Sequence, residues 1–351
     1  MPQIVTEVVA EGLPHLWAME FLPDGRMLVS AKEGEMMIVT AEGEAGEPIA
    51  GVPEVASDGQ GGLLDIALSP QFASDQTIYF SFSEPRDGGN GTSVAKARLV
   101  EDGGTASLED LEIIFRQMPT YDGDKHFGSR IVPDGRGGIF VTTGERSVID
   151  ARPLAQDVNT HLGKVLHIDG KTGAPLSGNP FAQGGGKPEI WSWGHRNIQS
   201  AALDGQGRLW TVEHGAKGGD EVNIPQPGKN YGWPVISFGV NYDGTPVGSG
   251  KSSMPGMEQP IKYWVPSIAP SGMAFYTGDL FPSWKGSLFV GALAGQMLVR
   301  LSVDGETITG EERLLQGLRE RIRDVRMGPD GALYLVTDNN AGRVLKVTPA
   351  K

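Results

Sequence analysis

The chain has 351 residues, with 51 glycines, 24 prolines and no cysteine, and its 43 acidic and 30 basic side chains give a net charge of −13. Glycine and proline exceed the roughly 12% of an average protein, which disfavours a helical bundle and favours an all-β chain with many turns. The acidic balance would repel a phosphate backbone, so we expect no nucleic-acid partner, and the missing cysteines exclude disulfides, thiolate metal sites and a cysteine nucleophile.

A turn of the Pro-Asp-Gly type, followed by a short strand of β-branched and aromatic residues, recurs along the chain. Proline fixes φ at the second turn position and glycine accepts the positive φ that follows, so this pattern punctuates strands. Four clear copies and two degenerate ones occupy residues 22–30, 69–82, 132–142, 203–211, 281–290 and 328–337.

Six copies in 351 residues correspond to units of about 58 residues, the length of a four-stranded antiparallel sheet with its loops. The sequence therefore predicts a six-bladed β-propeller of four-stranded antiparallel blades, as a single domain over residues 1–351. A pair of β-sandwiches or another all-β array is the alternative. We expect an isolated strand at 3–10 to pair with the last blade and close the ring. No apolar run approaches the roughly 18–20 residues of a membrane span, so none is expected.

The candidate catalytic residues lie directly before repeat strands. His126 occupies a polar, glycine-containing loop before the third strand, where a propeller would place it near its axis. Its imidazole could serve as a general base, because its ordinary pKa lies near working pH. Arg196 and Asn197 precede the fourth strand and offer a fixed cationic fork beside an amide, suited to a carboxylate or a developing oxyanion. An arginine paired between blades is the structural alternative.

Two further clusters suggest ions. Asp220 and Glu221, among glycines whose carbonyls are free, suit Ca²⁺, which prefers carboxylate and backbone oxygens; a solvated acidic loop is the alternative. Arg321 and Arg323 point to the same side of an extended segment. They repel each other unless carboxylates pair them or an anion lies between them, so a polyanionic ligand is plausible. A P-loop, a dinucleotide-binding glycine motif, a Gly-x-Ser-x-Gly elbow and a His-Glu-x-x-His motif are all absent.

Several motifs, in unbroken order from about Gly12 to Lys346, closely resemble the soluble aldose sugar dehydrogenases of the glucose/sorbosone dehydrogenase family. They occupy residues 126–130, 194–197, 213–221, 230–234, 271–276 and 321–325. Members of this family are six-bladed propellers that use pyrroloquinoline quinone (PQQ) and Ca²⁺. The resemblance implies PQQ- and Ca²⁺-dependent oxidation of an aldose at C1 to its lactone, with electrons passed to a separate acceptor.

The resemblance also implies roles for individual residues. His126 resembles the general base that takes the proton of the anomeric hydroxyl, and Arg196 resembles the cation that stabilises the quinone oxygen. Asn197, Arg321 and Arg323, together with Arg196, resemble contacts to PQQ. Gln60 matches a residue at the mouth of the cofactor and substrate site.

The metal sites are implied in the same way. The carbonyls of Gly215 and Ala216 resemble ligands of the Ca²⁺ that docks PQQ and acts as a Lewis acid. Glu221 and the carbonyl of Tyr231 resemble a second, structural Ca²⁺ site.

Two positions depart from the family pattern. The family usually has a cofactor-binding lysine where this chain has Ala294, and Lys125 stands where relatives carry Asn or Asp. Our hypothesis is that Lys125 supplies some of the positive charge lost at position 294.

Two other functions stay open on the sequence. A Ca²⁺-dependent lactonase would need a ring of carboxylate and Asn ligands at one central metal. A non-enzymatic propeller that binds glycan or protein would leave the arginine clusters without a ligand. From the resemblance we expect a periplasmic monomer whose signal peptide has been removed, with Met1 as a new start.

Overall fold

The computed structural model describes residues 2–350, and strands make up most of them. The N-terminal half contains β1 (Ile4–Leu13), β2 (Leu16–Phe21), β3 (Met27–Ala31), β4 (Glu35–Val39), β5 (Leu63–Leu68), β6 (Thr77–Arg86), β7 (Gly89–Asp102), β8 (Thr105–Arg116), β9 (Ile131–Pro133), β10 (Gly138–Thr142), β11 (Lys164–Asp169) and β12 (Ile190–Trp193).

The C-terminal half continues with β13 (Ile198–Leu203), β14 (Leu209–Glu213), β15 (Asp220–Asn223), β16 (Lys229–Asn230), β17 (Lys262–Trp264), β18 (Pro270–Phe275), β19 (Leu288–Ala292), β20 (Met297–Asp304), β21 (Thr307–Leu314), β22 (Ile322–Met327), β23 (Leu333–Thr337) and β24 (Gly342–Pro349). Helical structure is limited to α1 (Phe72–Asp75) and three 3₁₀ turns at Arg152–Ala155, Pro282–Trp284 and Gln316–Leu318. None of the helices within residues 2–350 is long and apolar enough to cross a membrane.

Across residues 2–350 the strands form six sheets, the blades of a six-bladed β-propeller, which confirms the predicted fold. Blade 1 is β2–β4, blade 2 is β5–β8, and blade 3 is β9–β12. Blade 4 is β13, β14, β15 and β17, blade 5 is β18–β21, and blade 6 is β22–β24 with β1. Two blades differ from the four-stranded pattern. Blade 1 has three strands, because the segment after β4 runs mainly as loop, and blade 3 gains the short β16, parallel to β12.

The N-terminal strand closes the ring of blades. β1 pairs antiparallel with β24 from Ile4 opposite Pro349 to Leu13 opposite Gly342. The outer edge of blade 6 is therefore covered by a strand from the other end of the chain, which protects its backbone N–H and C=O groups from further pairing.

The six repeat turns each connect the first strand of a blade to its second strand. In the third copy the Asp134 carboxylate accepts hydrogen bonds from the backbone N–H of Arg136 at 2.7 Å and of Gly138 at 2.9 Å. Such side-chain-to-backbone bonds stabilise the turn locally, so the motif reverses the chain through contacts within itself. Apolar side chains then pack between neighbouring blades, as Leu28 of blade 1 does in one core with Phe80 of blade 2.

Hydroxyl groups bind each of the early blades to the next. Ser81 Oγ accepts a hydrogen bond from the N–H of Asp65 at 3.0 Å within blade 2 and donates one at 2.7 Å to the carbonyl of Ser129, which precedes blade 3. The same double role belongs to Ser30 between blades 1 and 2 and to Thr142 between blades 3 and 4. The hydroxyls of Ser30 and Ser81 satisfy N–H groups where the first strands of blades 1 and 2 bulge.

A buried charge network joins three blades near the axis. Arg130 Nη1 lies 2.7 Å from Asp65 Oδ1 and 3.2 Å from Asp324 Oδ1. Arg326 contacts the same two carboxylates, at 2.9 Å from Asp65 and 3.0 Å from Asp324. Asp65, Arg130 and Asp324 are almost completely buried, so each charge depends on its partners for compensation.

We expect Asp65→Asn to lower the free energy of unfolding by about 3–5 kcal/mol, because it leaves the buried Arg130 and its neighbour Arg326 with Asp324 and the more distant Glu20. Asp24→Asn, which breaks the exposed pair with Arg26 at 2.6 Å, is the matched control and should cost about 0–1 kcal/mol. Urea unfolding followed by circular dichroism compares the two variants. Equally small losses of unfolding free energy in the two variants would show that the charge network at the axis contributes little to stability.

Candidate active site

A cavity of about 410 Å³ is lined by residues of all six blades and therefore lies on the propeller axis. One wall residue from each blade, in blade order, is Trp17, Leu64, Phe127, Gln199, Leu293 and Arg323. Of the residues predicted from sequence, Gln60, Arg321 and Arg323 lie on this wall.

The two arginines of blade 6 share one carboxylate. Arg321 binds Asp338 Oδ2 through Nε at 2.8 Å and Nη2 at 2.6 Å, and Arg323 Nη2 lies 3.1 Å from Asp338 Oδ1. His15 Nε2 is 2.8 Å from the same Oδ1 atom. Burial alone would raise the pKa of Asp338, but Arg323, His15 and Arg321 hold it well below its ordinary value. Asp338 thus fixes the side on which both arginines lie.

His126 is buried beside this cavity, and both its imidazole ring and its backbone N–H are hydrogen-bonded. Its Nδ1 atom is 2.6 Å from Glu145 Oε1, and its backbone N–H donates to Gln60 Oε1 at 2.9 Å. Glu145 Oε2 accepts a second hydrogen bond, from the N–H of Ser147 at 2.8 Å. Because the carboxylate accepts, the neutral imidazole carries its proton on Nδ1 and keeps a free electron pair on Nε2.

The surroundings of His126 favour the neutral imidazole. Burial first, and then the charge of Arg196, lower its pKa to about 4 despite the opposing effect of Glu145. The ring is therefore uncharged at neutral pH and can accept a proton, as a general base must.

Arg146 holds the loop that carries His126. Its guanidinium donates to the carbonyls of Lys125 at 3.0 Å and Gly123, to the Asn90 side chain at 2.6 Å, and lies 4.1 Å from the Phe127 ring centre. These contacts bracket His126 on both sides. Burial lowers the pKa of Arg146 to about 10, so it stays charged at neutral pH.

Arg196 does not line the axial cavity and lies against the loop that follows β14 of blade 4. Its backbone N–H donates to Glu213 Oε2 at 2.7 Å, and its Nη1 donates to the carbonyls of His214 at 3.2 Å and Gly215. The guanidinium carbon is 5.2 Å from the Trp233 ring centre. Its Nε is buried without a hydrogen-bond partner among residues 2–350.

Asn197 shows the same kind of unused donor. Its Oδ1 accepts from the N–H of Gly128 at 3.1 Å, whereas its buried Nδ2 has no hydrogen-bond partner in the described part of the chain. Leaving a buried donor unpaired is costly. Arg196 and Asn197 therefore fit a ligand that brings oxygen acceptors and negative charge, as the quinone and carboxylate groups of PQQ would.

A second, smaller space of about 10 Å³ is lined by Gly215, Glu221 and Tyr231, and shares His214 with the axial cavity. Burial and the nearby Glu213 raise the pKa of the Glu221 carboxyl, so a bound cation would offset the repulsion between these two carboxylates.

No cluster of three or more His, Cys, Asp or Glu side chains with metal-binding geometry occurs within residues 2–350. A Ca²⁺ here would depend on backbone carbonyls together with the carboxylate. Three of the four predicted metal ligands, Gly215, Glu221 and Tyr231, meet at the small space, whereas Ala216 does not line it.

The family model for glucose / sorbosone dehydrogenase matches residues 13–346. The aldose sugar dehydrogenase YliI of Escherichia coli K12 is 44% identical over 348 residues, which cover 98% of this chain and 92% of that relative. The chain belongs to the glucose/sorbosone dehydrogenase family.

Solved structures agree with this membership. The apo soluble aldose sugar dehydrogenase of E. coli has a TM-score of 0.94 and 43% identity, covering 99% of this chain and 100% of that chain. The PQQ-bound aldose sugar dehydrogenase of Streptomyces coelicolor has a TM-score of 0.79 and 31% identity, with the same coverages. As a member of the glucose/sorbosone dehydrogenase family, the chain is an oxidoreductase.

The two positions that depart from the family pattern lie away from the cavity wall. Ala294 and Lys125 are both exposed, and neither lines the axial cavity. The structure therefore gives the hypothesis about Lys125 no support.

Sequence reasoning missed Glu145, Arg146 and Asp338. Glu145 and Arg146 follow β10 and Asp338 follows β23, so each lies just beyond the second strand of its blade. Their position after a repeat strand was a usable signal, but each resembles a surface charge until its partner is known.

We expect the protein to lose stability as the pH falls from about 6.5 to about 4, partly because of His126. The unfolded chain takes up the proton near the ordinary pKa of 6.5, whereas the folded chain does so only near 4. In urea unfolding at several pH values, His126→Gln should show a weaker pH dependence than the parent. Parallel curves for the two proteins would contradict the lowered pKa.

Proposed function

We propose that this chain oxidises aldose sugars at C1 to lactones with PQQ and Ca²⁺, using His126 as the general base. The observation that carries the proposal is the axial cavity, on whose wall Arg321 and Arg323 share one carboxylate. Gln60 of the same wall accepts a hydrogen bond from the backbone N–H of His126, which is paired with Glu145. That arrangement combines an anion-binding wall with a neutral base, as the oxidation of an alcohol by a bound anionic quinone requires.

Bound PQQ would supply the two-electron acceptor, and Ca²⁺ would polarise it as a Lewis acid. The residues that would hold PQQ are Gln60, Arg196, Asn197, Arg321 and Arg323. The carbonyls of Gly215 and Ala216 would hold the Ca²⁺ beside PQQ, and Glu221 with the carbonyl of Tyr231 would hold a second, structural Ca²⁺. That Ca²⁺ dependence rests on the buried carboxylates at the small space and on the family resemblance.

His126 and Glu145 would carry the proton transfer. His126 Nε2 would take the proton of the anomeric hydroxyl as the C1–H bond breaks. The C1 hydrogen would leave with its electron pair to the two-electron acceptor, so that the sugar becomes the lactone. The positive charge that develops on the imidazole is stabilised by Glu145, 2.6 Å from Nδ1. Arg196 places a fixed positive charge near His126, where negative charge would develop on the oxidant.

The Ca²⁺-dependent lactonase has less support. It needs a ring of carboxylate and amide ligands around a central metal, whereas the axial wall carries Lys32, Arg321 and Arg323 with Asp338. A separate electron acceptor, a monomeric state and a periplasmic location are proposed from the family resemblance.

We expect the purified protein, after addition of PQQ and Ca²⁺, to reduce an artificial dye with glucose, and to lose this activity when either addition is omitted. Lactone hydrolysis with Ca²⁺ alone is the parallel assay. Hydrolysis without any dye reduction would overturn the proposal in favour of a lactonase. Neither activity, over a panel of aldoses, would favour a binding protein.

We expect Glu145→Gln to lower kcat for dye reduction by about 10²-fold while KM changes little, because general-base catalysis contributes about 10²–10⁴ and the variant loses the charge that stabilises the imidazolium. Glu7→Gln, on the exposed face of β1, is the control and should match the parent. An unchanged kcat in Glu145→Gln would show that His126 does not act as a base through this pair.

A further inference from the structure

Lys32, directly after β3, is a cation on the axial cavity wall to which the proposed function gives no role. Its side chain is half-buried, and its ammonium group makes no hydrogen bond or ion pair within residues 2–350. Most lysines that lack a partner extend into solvent. A lysine on the wall of a cavity, without a carboxylate, is a different case. It is partly withdrawn from water, and no ion pair or hydrogen bond compensates for the lost hydration.

The backbone of Lys32 is fixed in place. Its N–H donates to the carbonyl of His15 at 2.8 Å, and its own carbonyl accepts from the N–H of Leu63 at 3.0 Å. The start of the side chain is packed as well. A Cβ added to Gly62 would lie 2.8 Å from Lys32 Cγ, and Gly62 has a φ of +136°, so glycine there leaves room for the stem of the lysine.

The cavity wall carries more positive than negative charge. Lys32, Arg321 and Arg323 contribute three permanent cations, and Asp338 contributes the one carboxylate on the wall. His15 shares that carboxylate, and Glu33, 4.0 Å from His15 Nδ1, has a side chain that is more than half exposed. The wall therefore has about two positive charges in excess, within a protein whose net charge is −13.

We propose that Lys32 binds a carboxylate of PQQ, together with the arginines of blade 6. The inference rests on the proposed function, since PQQ carries three carboxylates and is the anion that the excess charge would neutralise. Arg321 and Arg323 each use N–H groups to bind Asp338, whereas all three N–H groups of Lys32 are available to a ligand. A charge-assisted hydrogen bond of this kind belongs to the stronger class.

This assignment also changes which residue replaces the positive charge that is missing at Ala294. The family resemblance places a lysine at that position, and Lys125 was the sequence-based candidate to replace its charge. Lys125 is exposed and off the wall, whereas Lys32 is on the wall and unpaired within residues 2–350. In this chain a fourth cation for PQQ, beside Arg196, Arg321 and Arg323, is therefore supplied by blade 1.

The test is titration of the cofactor-free full-length protein with PQQ in the presence of Ca²⁺, followed by calorimetry. We expect Lys32→Met to raise the Kd by about tenfold or more, because one charge-assisted hydrogen bond is lost. Lys32→Arg keeps the charge and should bind close to the parent. Lys125→Met, which removes an equal charge from an exposed lysine, should leave the Kd unchanged.

Ionic strength and melting temperature give two further measurements. Added salt should weaken binding to the parent more than to Lys32→Met, because screening acts on the charge that the variant lacks. The melting temperatures of the two proteins without PQQ should agree, since the ammonium has no protein partner within residues 2–350.

Two failures are distinguishable. If the parent binds PQQ and Lys32→Met binds it equally well, the role of Lys32 is wrong and the proposed function stands. The role of Lys32 is also wrong if Lys125→Met alone weakens binding. If the parent binds no PQQ, both the role of Lys32 and the proposed function are overturned.

Discussion

The structure depends on the compensation of buried charge where the first strands of the blades meet. Asp65 and Asp324 are each shared by Arg130 and Arg326, and these four side chains join blades 2, 3 and 6. A propeller has to bury the inner edges of all its blades around one axis. Charges placed there are tolerated only when every member is paired, so the network permits few other arrangements of the blades.

This network also positions the walls of the cavity. Arg323 and Asp324 are neighbours in β22, at a bulge between Ile322 and Asp324. Asp324 contacts the network, whereas Arg323 reaches Asp338 and the cavity. Arg130, four residues after His126, anchors the other side. The charge network at the axis thus positions both the wall that carries Arg323 and the loop that carries His126. Any shift of the blades would change the distance between this wall and this loop.

The loop around His126 contains backbone conformations that non-glycine residues rarely adopt. His126 has a φ of 52°, Ser129 of 96°, Arg146 of 72° and Ser147 of 67°. Such residues cost about 1–3 kcal/mol each and persist where other contacts fix them. Here the hydrogen bonds of Arg146 and Glu145 provide those contacts. The strained backbone therefore lies in the two segments that position the His126 imidazole.

The sequence predicted the fold well, because the repeat turns form through local contacts. A Pro-Asp-Gly turn closes with hydrogen bonds from its own aspartate, as Asp134 does, and can be recognised without knowledge of the rest of the chain. It could not predict the missing fourth strand of blade 1, which depends on how the segment after β4 packs. Nor could it predict that Glu145 would meet His126 or that Lys32 would face the axis, since those contacts join segments distant in sequence.

The most direct test of the account is a crystal structure of the protein grown with PQQ and Ca²⁺. We expect electron density for PQQ in the axial cavity, in contact with Arg321, Arg323 and Lys32, and density for a cation in contact with the carbonyl of Gly215. Density for PQQ at another surface, or an axial cavity that excludes PQQ at saturating concentration, would contradict it.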